Sequence, residues 1–106
     1  MDTKKIEAVI NNFYKAVYSN NRQAFYGMLA NSFKDRVSLE EFNRYRQYRM
    51  IDIGRLEKVE KIQEDVDKIL VTCKIKIREN TVTHVYHLIE ERGEYYLIPD
   101  SFMFAK

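Results

Sequence analysis

Ile69-Leu70-Val71-Thr72-Cys73-Lys74-Ile75-Lys76-Ile77 is the stretch that decides the fold. Ile69, Val71, Cys73, Ile75 and Ile77 share one face, and Leu70, Thr72, Lys74, Lys76 and Arg78 the other. Alternation of period two marks a strand with one face on a core and one toward water. Working forward, Glu79-Asn80-Thr81 supplies a turn, Val82 to Glu90 a second strand, Arg92-Gly93 a hairpin turn, and Tyr95-Tyr96-Leu97-Ile98 a returning strand. Pro99 cannot donate to a ladder, so it marks an edge or a bend before Phe102 and Phe104. Working backward, Arg55 to Glu64 is ambiguous, because Leu56, Val59 and Ile62 recur every three residues. We read it as a bulged edge strand, since it lies between Gly54 and the turn-like Asp65-Val66-Asp67 and carries alternating Lys and Glu. A helix continuing through residue 68 is the competing assignment.

Before Gly54 the period changes. Asp2 or Thr3 caps a first helix whose Ile6, Val9, Ile10, Phe13, Tyr14 and Val17 form a wide apolar stripe. Ser19-Asn20-Asn21 interrupts it. A second helix follows, with Phe25, Met28, Leu29 and Phe33 on one face, and Gly27 inside it predicts a close approach to another element. Ser38-Leu39-Glu40-Glu41 is a capping box, flanked by Val37 and Phe42 at the positions of a hydrophobic staple, and it starts a third helix. Helices first and a meander second predict an α+β domain spanning 1–106, with three N-terminal helices packed on a curved four-stranded antiparallel sheet.

Composition narrows the function classes. The 106 residues include 45% hydrophobic side chains, eight Tyr, six Phe and no Trp, which is a folded, single-core profile. The net charge is +2, with +3 before Gly54 and −1 from it onward, so no concentrated basic face is present for nucleic acid. No apolar run reaches the ~20 residues that span a bilayer. Cys73 is the single cysteine, which excludes an intramolecular disulfide, and it reads as a small core residue. A cytoplasmic location is expected if the chain is complete, and an extracytoplasmic one if it is an excised domain.

Few residues carry chemistry. His84 and His87 lie three apart on a strand and therefore point to opposite faces, so they cannot chelate one metal together; neither a metal nor a cofactor is expected. His87 is in phase with Val85 and Ile89, and His84 with Val82, Tyr86 and Leu88; one of the two must face the helices. Tyr14, Tyr45 and Tyr48, with Tyr18, would set hydroxyls around an apolar floor, and His87 joins them in the ligand-lining set. Arg44, Arg46 and Arg49 either grip an anion or form a solvated helix face.

The run Phe13-Tyr14-Lys15-Ala16-Val17-Tyr18-Ser19-Asn20-Asn21, then Ala24-Phe25-Tyr26-Gly27-Met28-Leu29, then Ser38-Leu39-Glu40-Glu41-Phe42, followed by a four-strand meander, resembles the NTF2-like superfamily of α+β cones in pattern and element order. The resemblance implies a curved sheet wrapping helices around a conical cavity. It implies one of several roles: isomerase, dehydratase, binder of a small apolar or weakly acidic ligand, or a non-catalytic dimerising or accessory module. The superfamily includes ketosteroid isomerase, and Tyr14, Asp35 and Asp100 are similar in order to its tyrosine and two aspartates. Against this, Asp35 sits between Lys34 and Arg36, and Asp100 follows Pro99, which are ordinary surface and turn settings. The expectation is a non-catalytic domain that binds a small ligand or a protein partner and forms a homodimer through the outer sheet face, with Thr72, Tyr86 and Tyr96 on that face. A cavity enzyme of isomerase or dehydratase type is the alternative.

Overall fold

A computed structural model describes residues 1–49, 52–100 and 102–104. Helix α1 covers Thr3–Tyr18, α2 Arg22–Gly27, α3 Asn31–Lys34 and α4 Leu39–Arg44, followed by a 3₁₀ turn at Arg46–Tyr48. Strands β1 (Arg55–Glu64), β2 (Ile69–Ile77), β3 (Asn80–Glu91) and β4 (Glu94–Leu97) form one antiparallel sheet in the order β1-β2-β3-β4. The α+β class and the four-strand meander are thus as the sequence predicts.

The helix count is corrected. The expected second helix ends at Gly27, and Phe33 belongs to a separate single-turn helix. Between them Met28 to Ala30 runs beside β4: Leu97 N–H donates to the Met28 carbonyl at 2.7 Å, and Ala30 N–H to the Leu97 carbonyl at 2.8 Å. Leu29 and Leu97 thereby form a parallel bridge. This pairing satisfies backbone groups that a continuous helix would have used internally, and it covers the short β4 edge. The third expected helix also stops early, at Arg44, so Tyr45 to Tyr48 are not helical in the α sense.

The helix starts follow their caps. Asp2 accepts from Lys5 N–H, Asn21 from Ala24 N–H, and Ser38 from Glu41 N–H at 3.1 Å while Glu41 Oε1 accepts from Ser38 N–H at 3.0 Å. The Ser38 N–H holds the Glu41 carboxyl below its ordinary range. Arg22 ties α2 to α4 and to the 3₁₀ turn, donating from Nη2 to the carbonyls of Phe42 (2.7 Å) and Tyr48 (2.8 Å).

The three-residue period of β1 has a structural cause. Leu56 pairs with Ile75, Val59 with Cys73 and Ile62 with Val71, with register irregularities between Leu56 and Lys58 and between Val59 and Lys61. Each bulge inserts one extra residue opposite a β2 strand that keeps period two. Inward residues on β1 therefore recur every third position, and the strand reading prevails over the helix. Against the inner sheet face α1 buries Ile6, Ile10, Phe13, Tyr14 and Ala16, each large side chain contributing about 2 kcal/mol of apolar transfer.

Candidate functional site

The expected cavity region is the space between the helices and the inner sheet face, and side chains occupy it. Phe13, Phe25, Phe42 and Tyr86 are fully buried, and Phe33 and Met103 nearly so. Phe104 packs between Phe25, Phe33, Phe42 and Tyr48, with centroid separations of 5.6–6.5 Å. Three of these contacts are edge-on or tilted and the fourth, to Phe33, is stacked, the range of geometries that aromatic rings favour.

One polar cluster lies in this interior. Tyr14, from the apolar stripe of α1, and Tyr86, from the inner face of β3, share a hydroxyl–hydroxyl hydrogen bond of 2.7 Å. Burial raises the pKa of both phenols, and for Tyr86 the neighbouring Tyr14 raises it further. His84 sits edge-on to Tyr86 at 4.6 Å and stacks on Phe102 at 4.0 Å. Its Nε2 lies 3.3 Å from Asp100 Oδ2, while Asp100 Oδ1 accepts from Phe102 N–H at 2.9 Å. The Asp100 carboxylate thus shapes the turn after β4 and reaches the histidine. Among the described residues, no three His, Cys, Asp or Glu side chains converge as metal ligands.

The expected site residues therefore separate. Tyr14 and Asp100 lie at the two ends of this cluster, whereas Asp35 is exposed at the C-terminus of α3. Tyr45 is 40% exposed and pairs with the half-buried Tyr48, far along the chain from the Tyr14–Tyr18 pair, so the tyrosines form two pairs and not one mouth. His87 is corrected: it pairs with Leu70 on the outer sheet face, and His84, opposite Cys73, is the inward histidine. Tyr86 is corrected in the opposite sense. It is fully buried on the inner face, leaving Thr72 and Tyr96 outside. Arg44, Arg46 and Arg49 are all exposed, with Arg44 over the Tyr45 ring.

The tyrosine pair has an asymmetric expected response. Tyr14→Phe leaves the fully buried Tyr86 hydroxyl without its partner and costs about 1–3 kcal/mol. Tyr86→Phe costs less, because Tyr14 also borders the groove beside α1, so a small shift of its ring would bring the freed hydroxyl to water. The double phenylalanine variant should be no less stable than Tyr14→Phe alone; urea denaturation of all four proteins as a double-mutant cycle checks this.

The open surface lies elsewhere, between α1 and β1. A groove of about 620 Å³ is lined by Tyr14, Lys15, Tyr18, Arg55 and Leu56, among others. It continues past Tyr18 and Arg55 to a depression bounded by Asp52, Gly54, Lys76 and Arg78. No described helix is long and apolar enough to cross a membrane. Compared with models of protein families, with curated proteins and with solved structures, the chain gives no significant match.

Proposed function

We propose that this chain is a non-catalytic, partner-binding domain of the NTF2-like α+β class that works through its outer surfaces and forms a homodimer through the outer face of its sheet. The observation that carries the reading is the occupied interior: aromatic rings stand where the expected ligand would sit, and the Tyr14 and Tyr86 hydroxyls satisfy each other. A binder built this way recognises partners from outside. The outer sheet face supports it, since Leu70, Thr72, Val85, His87 and Ile89 are half-buried there, with Tyr96 at its margin under the Lys34 ammonium of α3. Lys74, Lys76 and Arg78 border this face on one side and give the interface a charged rim.

Sedimentation velocity at high micromolar concentration tests the proposal. A dimer is expected, with Val85→Arg and Ile89→Arg each shifting it to monomer at unchanged thermal stability. A wild-type monomer under those conditions counts decisively against the sheet-face dimer. The second reading, a cavity enzyme of isomerase or dehydratase type, is favoured by one observation, the Tyr14–Tyr86 pair beside the His84–Asp100 pair. Unchanged turnover in Tyr14→Phe and Asp100→Asn, on any substrate found, removes both residues from such a mechanism.

A further inference from the structure

From the groove between α1 and β1 we infer that this face is the docking site for an extended acidic peptide segment carrying an aromatic or aliphatic anchor. The inference deepens the partner-binding reading by naming a second surface and the chemistry of its occupant.

Charge is the first argument. Lys15, Arg55, Lys76 and Arg78 border the groove and its continuation, with Asp52 the carboxylate among them. Four cations and one anion leave three net positive charges at the groove and the depression beside Asp52, while the further depression beside Asn11 adds Glu7 and Glu57 against Lys58, so the positive end of the surface is the one at Arg55. None of the four cations makes an ion pair among the described residues, whereas Lys5 and Lys74 do. These four positive charges therefore remain available to an anionic ligand. Four cations are too few for a strong phosphodiester track, where 6–10 contacts are usual, and Asp52 would repel one.

Shape is the second argument. Tyr18 is 59% exposed, and with Leu56 it offers an apolar wall for one anchor side chain. The groove runs beside β1, which is the outer strand of the sheet. The two bulges and the alternating Lys and Glu of β1 interrupt a continuous main-chain ladder on its outer edge, so an extended peptide here is held by side chains, its anchor against Tyr18 and Leu56 and its carboxylates against the cations. From Asp52 to Val59 the borders extend along the strand, continuing into a depression beside Glu7 and Asn11. An elongated occupant matches that length better than a compact ion does.

The test uses a short fluorescein-labelled peptide alternating glutamate and valine around one phenylalanine. Its glutamine counterpart and a single-stranded oligonucleotide of equal charge serve as comparisons. Anisotropy titration and amide chemical-shift mapping on the whole chain are the readouts. The glutamate peptide should bind with shifts clustered on residues 11–19 and 52–59. The glutamine peptide should bind at least tenfold more weakly. Combined Lys15→Glu and Arg55→Glu substitution, at two groove residues outside the rim of the sheet-face dimer, should weaken the glutamate peptide at least tenfold with the melting temperature retained, and Tyr18→Ala should weaken it separately. Absence of binding at millimolar peptide, equal affinity of the glutamine peptide, unchanged affinity of the charge-reversed variant, or shifts confined to the outer sheet face each overturn the inference. Tighter binding of the oligonucleotide overturns it in favour of a phosphate ligand. These failures leave the sheet-face dimer untouched, and a monomer in sedimentation leaves the groove untouched.

Discussion

Gly54→Ala should unfold or severely destabilise this protein, by about 3 kcal/mol or more, from backbone strain added to a steric clash. Gly54 has φ +75°, a region that costs an L-residue without a local hydrogen-bonding side chain roughly 1 kcal/mol or more. A methyl group there would lie 2.5 Å from the Lys76 carbonyl oxygen, 2.6 Å from Ile77 Cγ1 and 2.9 Å from Ile75 Cγ2. The carbonyl belongs to β2 and cannot move without disturbing a central strand that pairs with both β1 and β3. The chain has only three glycines, and the other two serve as controls. Gly93 has φ +82° with nothing within 4 Å, so Gly93→Ala isolates the strain at about 1 kcal/mol. Gly27 is exposed, helical and also free of neighbours, so Gly27→Ala should stabilise by a few tenths of a kcal/mol, up to about 1. Thermal melts of the three variants check the order: Gly54→Ala far below wild type, Gly93→Ala slightly below, Gly27→Ala at or above. A Gly54→Ala melt within a few degrees of wild type would rule out the close approach of Gly54 to β2.

The same glycines show where the sequence was readable and where it was not. Gly54 marks the change of period, and the structure gives that position a steric reason. Gly27 was expected to mark a close approach and instead faces open space, because the chain leaves the helix there and pairs Met28–Ala30 with β4. Apolar spacing alone could not reveal this, since Leu29 is fully buried beside β4, a setting that asks for the same apolar side chain as a helix stripe. The histidine reversal has a sharper cause. Placing the β2–β3 turn at Glu79-Asn80-Thr81 pairs Cys73 with His87 and turns His87 inward. The actual turn is Arg78-Glu79, with Ile77 opposite Asn80 and Arg78 itself at φ +58°. A shift in hairpin register by an odd number of residues turns every side chain of the returning strand to the other face. That one turn accounts for His87, His84 and Tyr86 together. An Arg-Glu pair carries none of the Asn-Gly signal that announces a tight hairpin, whereas Asn80 attracts a turn to itself. On β1 the opposite holds: the three-residue spacing that resembled a helix was a faithful record of two bulges, legible once β2 was fixed as its partner.

Alkaline pH should unfold the protein steeply, near pH 11, because three acids are buried in their neutral forms. Cys73 is fully buried and its thiol is pushed up to about 12 from 9.0 by the loss of solvent. Burial likewise raises the Tyr14 and Tyr86 phenols well above 10.0. Below pH 9 all three are protonated in both folded and unfolded chains, and they contribute no pH dependence. Above pH 9 the unfolded chain releases the Cys73 proton while the folded protein retains it, so the unfolded state binds fewer protons and stability falls as pH rises. The slope is about 1.4 kcal/mol per pH unit for one group, and about 4 kcal/mol per unit above pH 10, where the two phenols join. By pH 11 the accumulated loss is about 5 kcal/mol, on the scale of an entire domain's stability of about 5–15 kcal/mol. Circular dichroism and phenolate absorbance followed together from pH 8 to pH 12 provide the check, with the last phenolate absorbance appearing at the unfolding transition and not before it. In the Tyr14→Phe/Tyr86→Phe double variant the slope above pH 10 should drop to that of one group, whatever its starting stability, because the two hydroxyls no longer titrate on unfolding. A folded protein whose stability stays level from pH 9 to pH 11 would mean that these groups reach solvent, and that the interior is open enough to hold a ligand after all.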